Sequence, residues 1–254
     1  MLAIERQRVI ENLVQEAGSV TISELTTMFG VSSETIRKDL LALERSGILH
    51  RTHGGAVSAK KTGALLPLQA RKTDHLQEKR ELCEYAIRYI QDGDVIAIDE
   101  GSTALELAKL IACTFTKLTI VTASLDVFEI LAKNQGFELI LCGGIFDREE
   151  RAFVGRVTVS TIEQFWFDKC FLCPSGISLE HGIMDYLADM VDVQDAYRKH
   201  SAEVYVLAYS DRFEQPARMK LGEVNPEYTY ITDSHLKQEI AERYAEKKIQ
   251  IKKG

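Results

Sequence analysis

Long apolar runs are missing from this chain of 254 residues. Stretches such as Leu118–Val121 and Leu139–Cys142 are typical of what it has, and a membrane-spanning helix needs about 20 apolar residues. No membrane partner is therefore expected. The opening Met-Leu-Ala-Ile-Glu-Arg has neither an extended apolar core nor a small-residue cleavage site. It does not read as a secretory signal, and the cytoplasm is the expected compartment. Cysteines are few and odd in number: Cys83, Cys113, Cys142, Cys170 and Cys173. That count argues against a disulfide framework. Cys170 and Cys173 have the spacing of a metal or redox pair, but they lie in the apolar run DKCFLCPSG. Strand alternation there points the two side chains to opposite faces. No second Cys-x-x-Cys and no His-x3-His accompanies them. Buried, inert thiols are expected, with no metal and no cofactor.

What the chain does have is enough apolar content, 45%, for an ordinary globular core. Its net charge of −7 is unevenly placed. Residues 1–60 carry seven acidic and seven basic side chains, so the whole excess lies beyond them. Within 35–61, Arg37, Lys38, Arg45, Arg51, Lys60 and Lys61 face only Asp39 and Glu44. One basic stretch near the terminus of an acidic protein suggests a local anion-binding face.

Three helices are expected in the first sixty residues. AIERQRVIENLVQEAG places Ile4, Val9, Leu13 and Val14 on one stripe and ends at Gly18. In ISELTTMF, Thr21 is the expected cap and Glu24 stands three residues on, the spacing of a capping box. Val20 and Leu25 fall at the hydrophobic-staple positions, and Gly30 stops the helix. Ser32 is the expected cap of a third helix, with Ile36, Leu40 and Leu43 as its buried stripe. The exposed side of its first turns then carries Ser33, Glu34, Thr35, Arg37 and Lys38. A helix-turn-helix protein inserts the start of its second helix into the major groove, where Arg or Lys reaches guanine or phosphate. Serine hydroxyls and free amides at that end suit phosphate contacts.

After Gly47, ILHRTHGGAV reads as two short strands joined by a Gly-Gly turn. Such a hairpin beside a helix-turn-helix is a wing, with Arg51, Thr52, His53 and Gly54 near its tip. The expected domains are a winged helix-turn-helix over 1–57, a polar linker over 58–75 and an α/β domain over 76–254. The segment from TISELTTMFG to RTHGGAV resembles the DNA-binding domain of the DeoR family of bacterial transcriptional regulators, whose wing carries Arg-x-His-Gly-Gly-Ala. The resemblance implies contacts to double-stranded operator DNA by Thr21, Ser32, Ser33, Glu34, Thr35, Arg37, Lys38, Arg51, Thr52, His53 and Gly54.

Beyond the linker, a helix is expected over about residues 76–90, and apolar strands then alternate with helices. DVIAID, KLTIVTAS, FELILCGG, DKCFLCPSG, EVYVLAYS, EYTYITDS and IQIKK read as strands, with helices near 156–166 and at AYRKHSA among the connections. That alternation predicts a mostly parallel sheet covered on both faces. In such sheets a ligand lies at the carboxyl ends of the strands. Three strands end there in Asp99-Glu100-Gly101-Ser102-Thr103, Thr122-Ala123-Ser124 and Gly143-Gly144, which suggests a shared small-molecule pocket.

Residues 92–233 resemble the sensor domain of the same family. The resemblance implies a fold similar to ribose-5-phosphate isomerase and a phosphorylated-sugar effector. This chain departs from the family pattern. Glu100 stands where the typical loop has serine, Ala123 replaces asparagine, and Cys173-Pro174 replaces small glycine. Gln194 stands where lysine is common, Tyr209 where aspartate is common, and Arg212 where lysine follows. Gln194 and Arg212 join the expected effector-binding set. The departures imply either an altered ligand or a sensor that no longer binds sugar phosphate.

The function expected is a transcriptional regulator, a repressor by family habit, acting as a homo-oligomer under control of a small effector. One alternative is an isomerase-like enzyme with a DNA-binding appendage, using Asp99 and Glu100 as acid and base. Another is a DNA-bound protein whose large domain only oligomerises.

Overall fold

The computed structural model describes residues 2–46, 48–52, 54–58 and 66–254. They form two compact units, Met1–Asp74 and His75–Gly254.

The first unit begins with α1, Ala3–Ala17. Its buried line is Arg6, Ile10 and Val14, while Ile4 is exposed and Val9 only half-buried. The expected stripe through Ile4 and Val9 is therefore rotated, because a charged residue holds the first inward position. Arg6 Nε reaches Asp39 Oδ2 at 2.5 Å, and Gln7 Nε2 donates to Asp39 Oδ1 at 2.9 Å.

β1, Ser19–Thr21, leads into α2, Ile22–Phe29. Thr21 Oγ1 accepts from the Glu24 amide at 3.1 Å, and the Glu24 carboxylate accepts from the Thr21 amide at 2.9 Å. These bonds draw the Glu24 carboxyl below its usual range. Gly30 turns the chain, and α3 spans Ser33–Arg45 with Ser32 as its cap. Ile36, Leu40 and Leu43 are buried as the periodicity requires, and join Ile10, Val14, Val20, Leu25, Leu49 and Ala56 in one core.

β2, Leu49–Thr52, and β3, Gly55–Ser58, form the hairpin. The sheet has a third strand: its order is β1-β3-β2, all antiparallel, with Thr21 opposite Gly55. A Cβ on Gly55 would stand 1.9 Å from the Val20 carbonyl oxygen, whereas Gly54 has open space around it. The close approach of β1 explains the second glycine of the pair. Residues 66–74 of the expected linker include a short helix, α4, Leu68–Arg71, and residues 59–65 lie outside those described.

The second unit opens with α5, Leu76–Ala86, which tightens into a 3-10 turn, Ile87–Tyr89. There follow β4, Val95–Ile98; α6, Ser102–Thr114; β5, Thr119–Thr122; α7, Leu125–Leu131; and β6, Glu138–Leu141. A hairpin of β7, Ile145–Asp147, and β8, Ala152–Val154, precedes α8, Arg156–Ile162, and β9, Phe167–Leu172. The chain continues through β10, Gly176–Ser178; β11, Gly182–Asp185; α9, Ala188–Lys199; and β12, Ser201–Leu207. It ends with β13, Met219–Gly222; β14, Thr229–Thr232; α10, Gln238–Glu246; and β15, Ile251–Lys253.

Among the described residues seven strands form one sheet in the order β15-β14-β12-β9-β4-β5-β6, every pair parallel. Alternation sends successive side chains to opposite layers. Ile96, Ile98, Phe171, Tyr205 and Leu207 pack with α5, α6 and α7. Ala97, Cys170, Leu172, Val204 and Val206 pack with α8, α9 and α10. Cys170 and Cys173 accordingly belong to different layers. Burial pushes the Cys142 and Cys170 thiols up to about 12, so both stay protonated at neutral pH. The β7–β8 hairpin and a second small sheet, β10-β11-β13, lie outside the strand pattern expected from the sequence.

Candidate functional site

Two places carry chemistry, one in each unit. In the first, the start of α3 is held from below and open above. Ser32 Oγ accepts from the Thr35 amide at 3.2 Å and lies 3.0 Å from the Thr35 hydroxyl. Ser32, Ser33, Glu34, Arg37 and Lys38 are exposed, and Thr35 is half-buried. Among the described residues neither Arg37 nor Lys38 has a hydrogen-bonded or ion-paired partner. Asp39, between them and the core, is buried against Arg6.

The wing is tied to both helices. The Arg51 amide donates to Glu44 Oε1 at 2.8 Å and its Nε to Glu44 Oε2 at 2.6 Å, so this cation lies along α3. Thr52 pairs with Gly55 in the ladder. The Gly54 carbonyl accepts from the Ile22 amide at 2.7 Å, at the first turn of α2. Thr21 is exposed, but its hydroxyl is engaged with Glu24. His53 lies outside the described residues.

In the second unit the expected loops meet at the carboxyl edge of the sheet. Asp99 and Glu100 follow β4. Gly101, at φ 93°, turns the chain into α6, a conformation an L side chain resists, and places Ser102 and Thr103 on its first turn. Thr122 Oγ1 donates to the Ile98 carbonyl at 2.8 Å and accepts from the Ser124 amide at 3.1 Å. Ser124 Oγ caps α7 by accepting from the Val127 amide. These two hydroxyls brace the loops, and Ala123 is buried in the core. Gly143 and Gly144 are exposed, and the Gly143 carbonyl accepts from Thr158 on α8.

The charged centre of this edge comes from further along the chain. Asp99 Oδ2 accepts from the Cys173 amide at 2.7 Å and from Gln194 Nε2 at 3.0 Å. Gln194 Nε2 also donates to Asp185 Oδ2 at 3.1 Å. Asp185 Oδ1 accepts from Ser175 Oγ at 2.9 Å and from the Tyr186 amide at 2.7 Å. Asp185 and Ser175 were not among the residues singled out from the sequence. Arg212 Nη1 donates to the Ser175 carbonyl at 3.0 Å, and its guanidinium lies 4.9 Å from the Tyr209 ring centre. His75 stacks on Tyr209 at 4.6 Å, and Lys79 Nζ lies 5.3 Å from the same ring.

The exposures are 1% for Asp99, 7% for Glu100, 5% for Asp185 and 0% for Gln194. Burial raises the Asp99 carboxyl above its usual range, with the Asp185 charge adding to it. Burial raises Glu100 much further, with the Asp99 and Asp185 charges adding. The Asp99 and Glu100 carboxyls share a side-chain hydrogen bond, and among the described residues Gln194 Oε1 is buried without a hydrogen-bond partner. Among the described residues no group of His, Cys, Asp and Glu could hold a metal ion, and no helix is long and apolar enough to cross a membrane.

Comparison with known proteins identifies both units. Residues 6–62 match the DeoR-like helix-turn-helix domain, and residues 74–234 match the DeoR C terminal sensor domain. The chain is 33% identical over 247 residues to the lactose phosphotransferase system repressor of Staphylococcus epidermidis, covering 93% of this chain and 95% of that one. It is 27% identical over 250 residues to the HTH-type transcriptional regulator IolR of Bacillus subtilis, covering 98% and 99%. Among solved structures, ribose 5-phosphate isomerase A of Methanocaldococcus jannaschii aligns at a TM-score of 0.41, with 11% identity over 56% of each chain. With both units matched, the chain belongs to the DeoR family of DNA-binding transcriptional regulators.

Proposed function

We infer that the chain represses carbohydrate-metabolism genes, binding operator DNA through its first unit and answering to a small sugar-derived effector at the sheet edge of its second. One observation carries the DNA reading. Among the described residues Arg37 and Lys38 are exposed and unpartnered beside the start of α3, while Arg6 and Arg51 are each held by a carboxylate. A cation with no partner in the protein is available to phosphate or to a guanine edge. Ser32, Ser33 and the free amides of that turn take the neighbouring phosphate, with Glu34 and Thr35 at the groove face. Thr21, Arg51, Thr52, His53 and Gly54 complete the proposed set of DNA contacts. Two copies present two reading helices to paired half-sites, so the active form is a homo-oligomer. The compartment is the cytoplasm.

The effector site comprises residues 99–103, 122–124 and 143–144, together with Gln194 and Arg212. Effector binding acts by favouring one arrangement of the protein over another. The large unit senses rather than catalyses. Asp99 is held by the Cys173 amide and the Gln194 side chain, neither of which exchanges protons near neutral pH, and it shares a hydrogen bond with the adjoining Glu100 carboxyl. The relatives named above, a repressor and a transcriptional regulator, support the same reading.

The test is fluorescence anisotropy of the full chain on a labelled fragment of its own promoter and on an unrelated fragment, over about 50–200 mM salt. Preference for the promoter fragment, weakening steeply with salt, is the expected outcome. Equal affinity for both at every salt concentration rejects the reading.

A further inference from the structure

The connection between β6 and β9 keeps apolar side chains on its outside. Among the described residues of the second unit, four large apolar side chains are mainly exposed: Ile145, Val157, Trp166 and Met219. The first three lie on this one connection, at 71%, 63% and 65% exposure. Apolar residues scattered singly over a surface need no explanation, whereas a group of them marks an interaction surface. The inner side of α8 is already served, because Thr158 and Ile162 are buried and Val159 and Phe165 pack on the core.

The outer side is held in place. Thr158 Oγ1 donates to the Gly143 carbonyl at 2.8 Å, which ties α8 to the turn before β7. Ile145 pairs with Val154 across the hairpin, and its Cδ1 would stand 3.4 Å from a Cβ on Gly155. Ile145 and Val157 therefore share one end of α8. Trp166 stands beyond the other end, its ring edge-on to that of His200 at 6.2 Å. Charge is divided between the ends in the same way. Arg156 opens α8 and Glu163 closes it. Both are exposed, and among the described residues neither side chain has a hydrogen-bond or ion-pair partner. Two helical turns, about 10 Å, separate them, too far for one to pair with the other.

We propose that this face docks a second copy of the chain, with the two α8 helices antiparallel about a two-fold axis near Ser160. The proposal rests on the reading of the active form as a homo-oligomer and names the surface that makes it. In a two-fold contact every pairing occurs twice, each copy supplying both members. An axis near Ser160 sets Arg156 against Glu163 of the second copy. It also sets Trp166 against Ile145 and Val157 of the second copy. Each end of the face thus offers what the other end wants, a cation for an anion and an aromatic ring for an aliphatic patch. The small side chain of Ser160 lets the helix axes come close at the centre. Trp and Arg are the side chains that most often carry the binding energy of an interface. A nucleic acid or an anionic membrane would call for an excess of cations, and here exposed Arg148 and Arg156 are balanced by exposed Glu149 and Glu163.

The test uses the full chain, followed by sedimentation velocity from about 0.1 to 100 µM and by the emission of Trp166, the single tryptophan. Self-association is expected, with the emission moving to shorter wavelength as the indole leaves water. Trp166→Ala should raise the midpoint concentration of association by about tenfold or more. Arg156→Glu and Glu163→Arg should each raise it, because each brings like charges together. The double variant Arg156→Glu, Glu163→Arg should recover most of that loss, as only residues that meet across the contact can. Both charged residues are exposed, so this series decides even if Trp166→Ala fails to fold.

Self-association with an unchanged midpoint in Trp166→Ala and in both charge reversals overturns this surface and leaves the homo-oligomer reading standing. Single reversals that weaken association without recovery in the double variant overturn the antiparallel pairing. A chain that stays monomeric over the whole range, alone and on a promoter fragment, removes both the surface and the homo-oligomer reading. A monomer whose Trp166 emission shifts only when a different protein is added gives the surface to that protein and overturns the second copy as its occupant.

Discussion

Arg6 on α1 and Asp39 on α3 form a buried ion pair, Nε to Oδ2 at 2.5 Å, that fixes the inner side of α3. Asp39 directly follows Lys38, so the charge that holds the helix in place adjoins the charges it presents. Removing one partner of a buried pair leaves the other uncompensated, which costs about 3–5 kcal/mol. Asp39→Ala should destabilise the first unit by that order in urea unfolding and weaken operator binding with it. The double variant Arg6→Met, Asp39→Leu should regain most of the stability, because an apolar pair of similar volume avoids the stranded charge. A double variant no more stable than Asp39→Ala would mean that the pair is not what holds α3.

Arg37 and Lys38 should behave differently from Asp39, since among the described residues neither has a partner to lose. Arg37→Ala and Lys38→Ala should each leave Tm nearly unchanged and weaken operator binding by about 1–3 kcal/mol. A side chain that reads a base relaxes sequence preference at one position. One that contacts phosphate weakens all sequences alike and lowers the salt slope by about one. Anisotropy titrations at several salt concentrations, on the operator and on single-base variants, separate the two roles. Full operator affinity in both variants would show that α3 docks by another face.

How much of this was legible in the sequence depends on the distance over which each feature is encoded. The Thr21–Glu24 capping box and the Ser32 cap depend on residues three apart, and both are present. The seven sheet strands were legible because each is a short apolar run between helices. β1 was not, because its three residues become a strand only by pairing with β3, far along the chain. The same holds for β7, β8, β10 and β13, three or four residues each. The inward position of Arg6 was hidden because periodicity assigns inner positions to apolar residues, and only the meeting with Asp39 makes a charge tolerable there. Asp185 belongs to no motif; the turn after β11 brings it to Gln194. Thr122 and Ser124 stand at a strand end of the expected pocket, and the sequence does not show that their hydroxyls also brace the loops there.

Gly54 and Gly55 look equivalent in the sequence and differ in the structure. A methyl at 55 meets the Val20 carbonyl oxygen at 1.9 Å, and a methyl at 54 meets nothing within 4 Å. Gly55→Ala must push β1 away from β3 and should cost about 1–3 kcal/mol or more. Gly54→Ala should change stability by less than about 0.5 kcal/mol. Parallel urea melts of the two variants check the contrast. Equal losses would mean that the wing, rather than the β1–β3 approach, sets the requirement.

Glu100 makes the stability of the second unit depend on pH in a direction opposite to that of an ion-paired carboxylate. Burial, with Asp99 and Asp185 adding, raises its carboxyl well above the usual 4.5. The folded protein therefore holds this proton more tightly than the unfolded chain does. Below 4.5 both states are protonated and the group takes nothing from stability. As pH rises above 4.5 the unfolded chain releases the proton first, and stability falls until the folded carboxyl has titrated as well. Glu100→Gln has no proton to release, so its advantage over the native chain should be small near pH 4.5 and should widen toward pH 8. Melting temperatures of both proteins across that range, without ligand, measure the gap. A gap that stays constant or narrows as pH rises would mean that Glu100 is ionised in the folded protein, with a counter-charge close enough to hold it so.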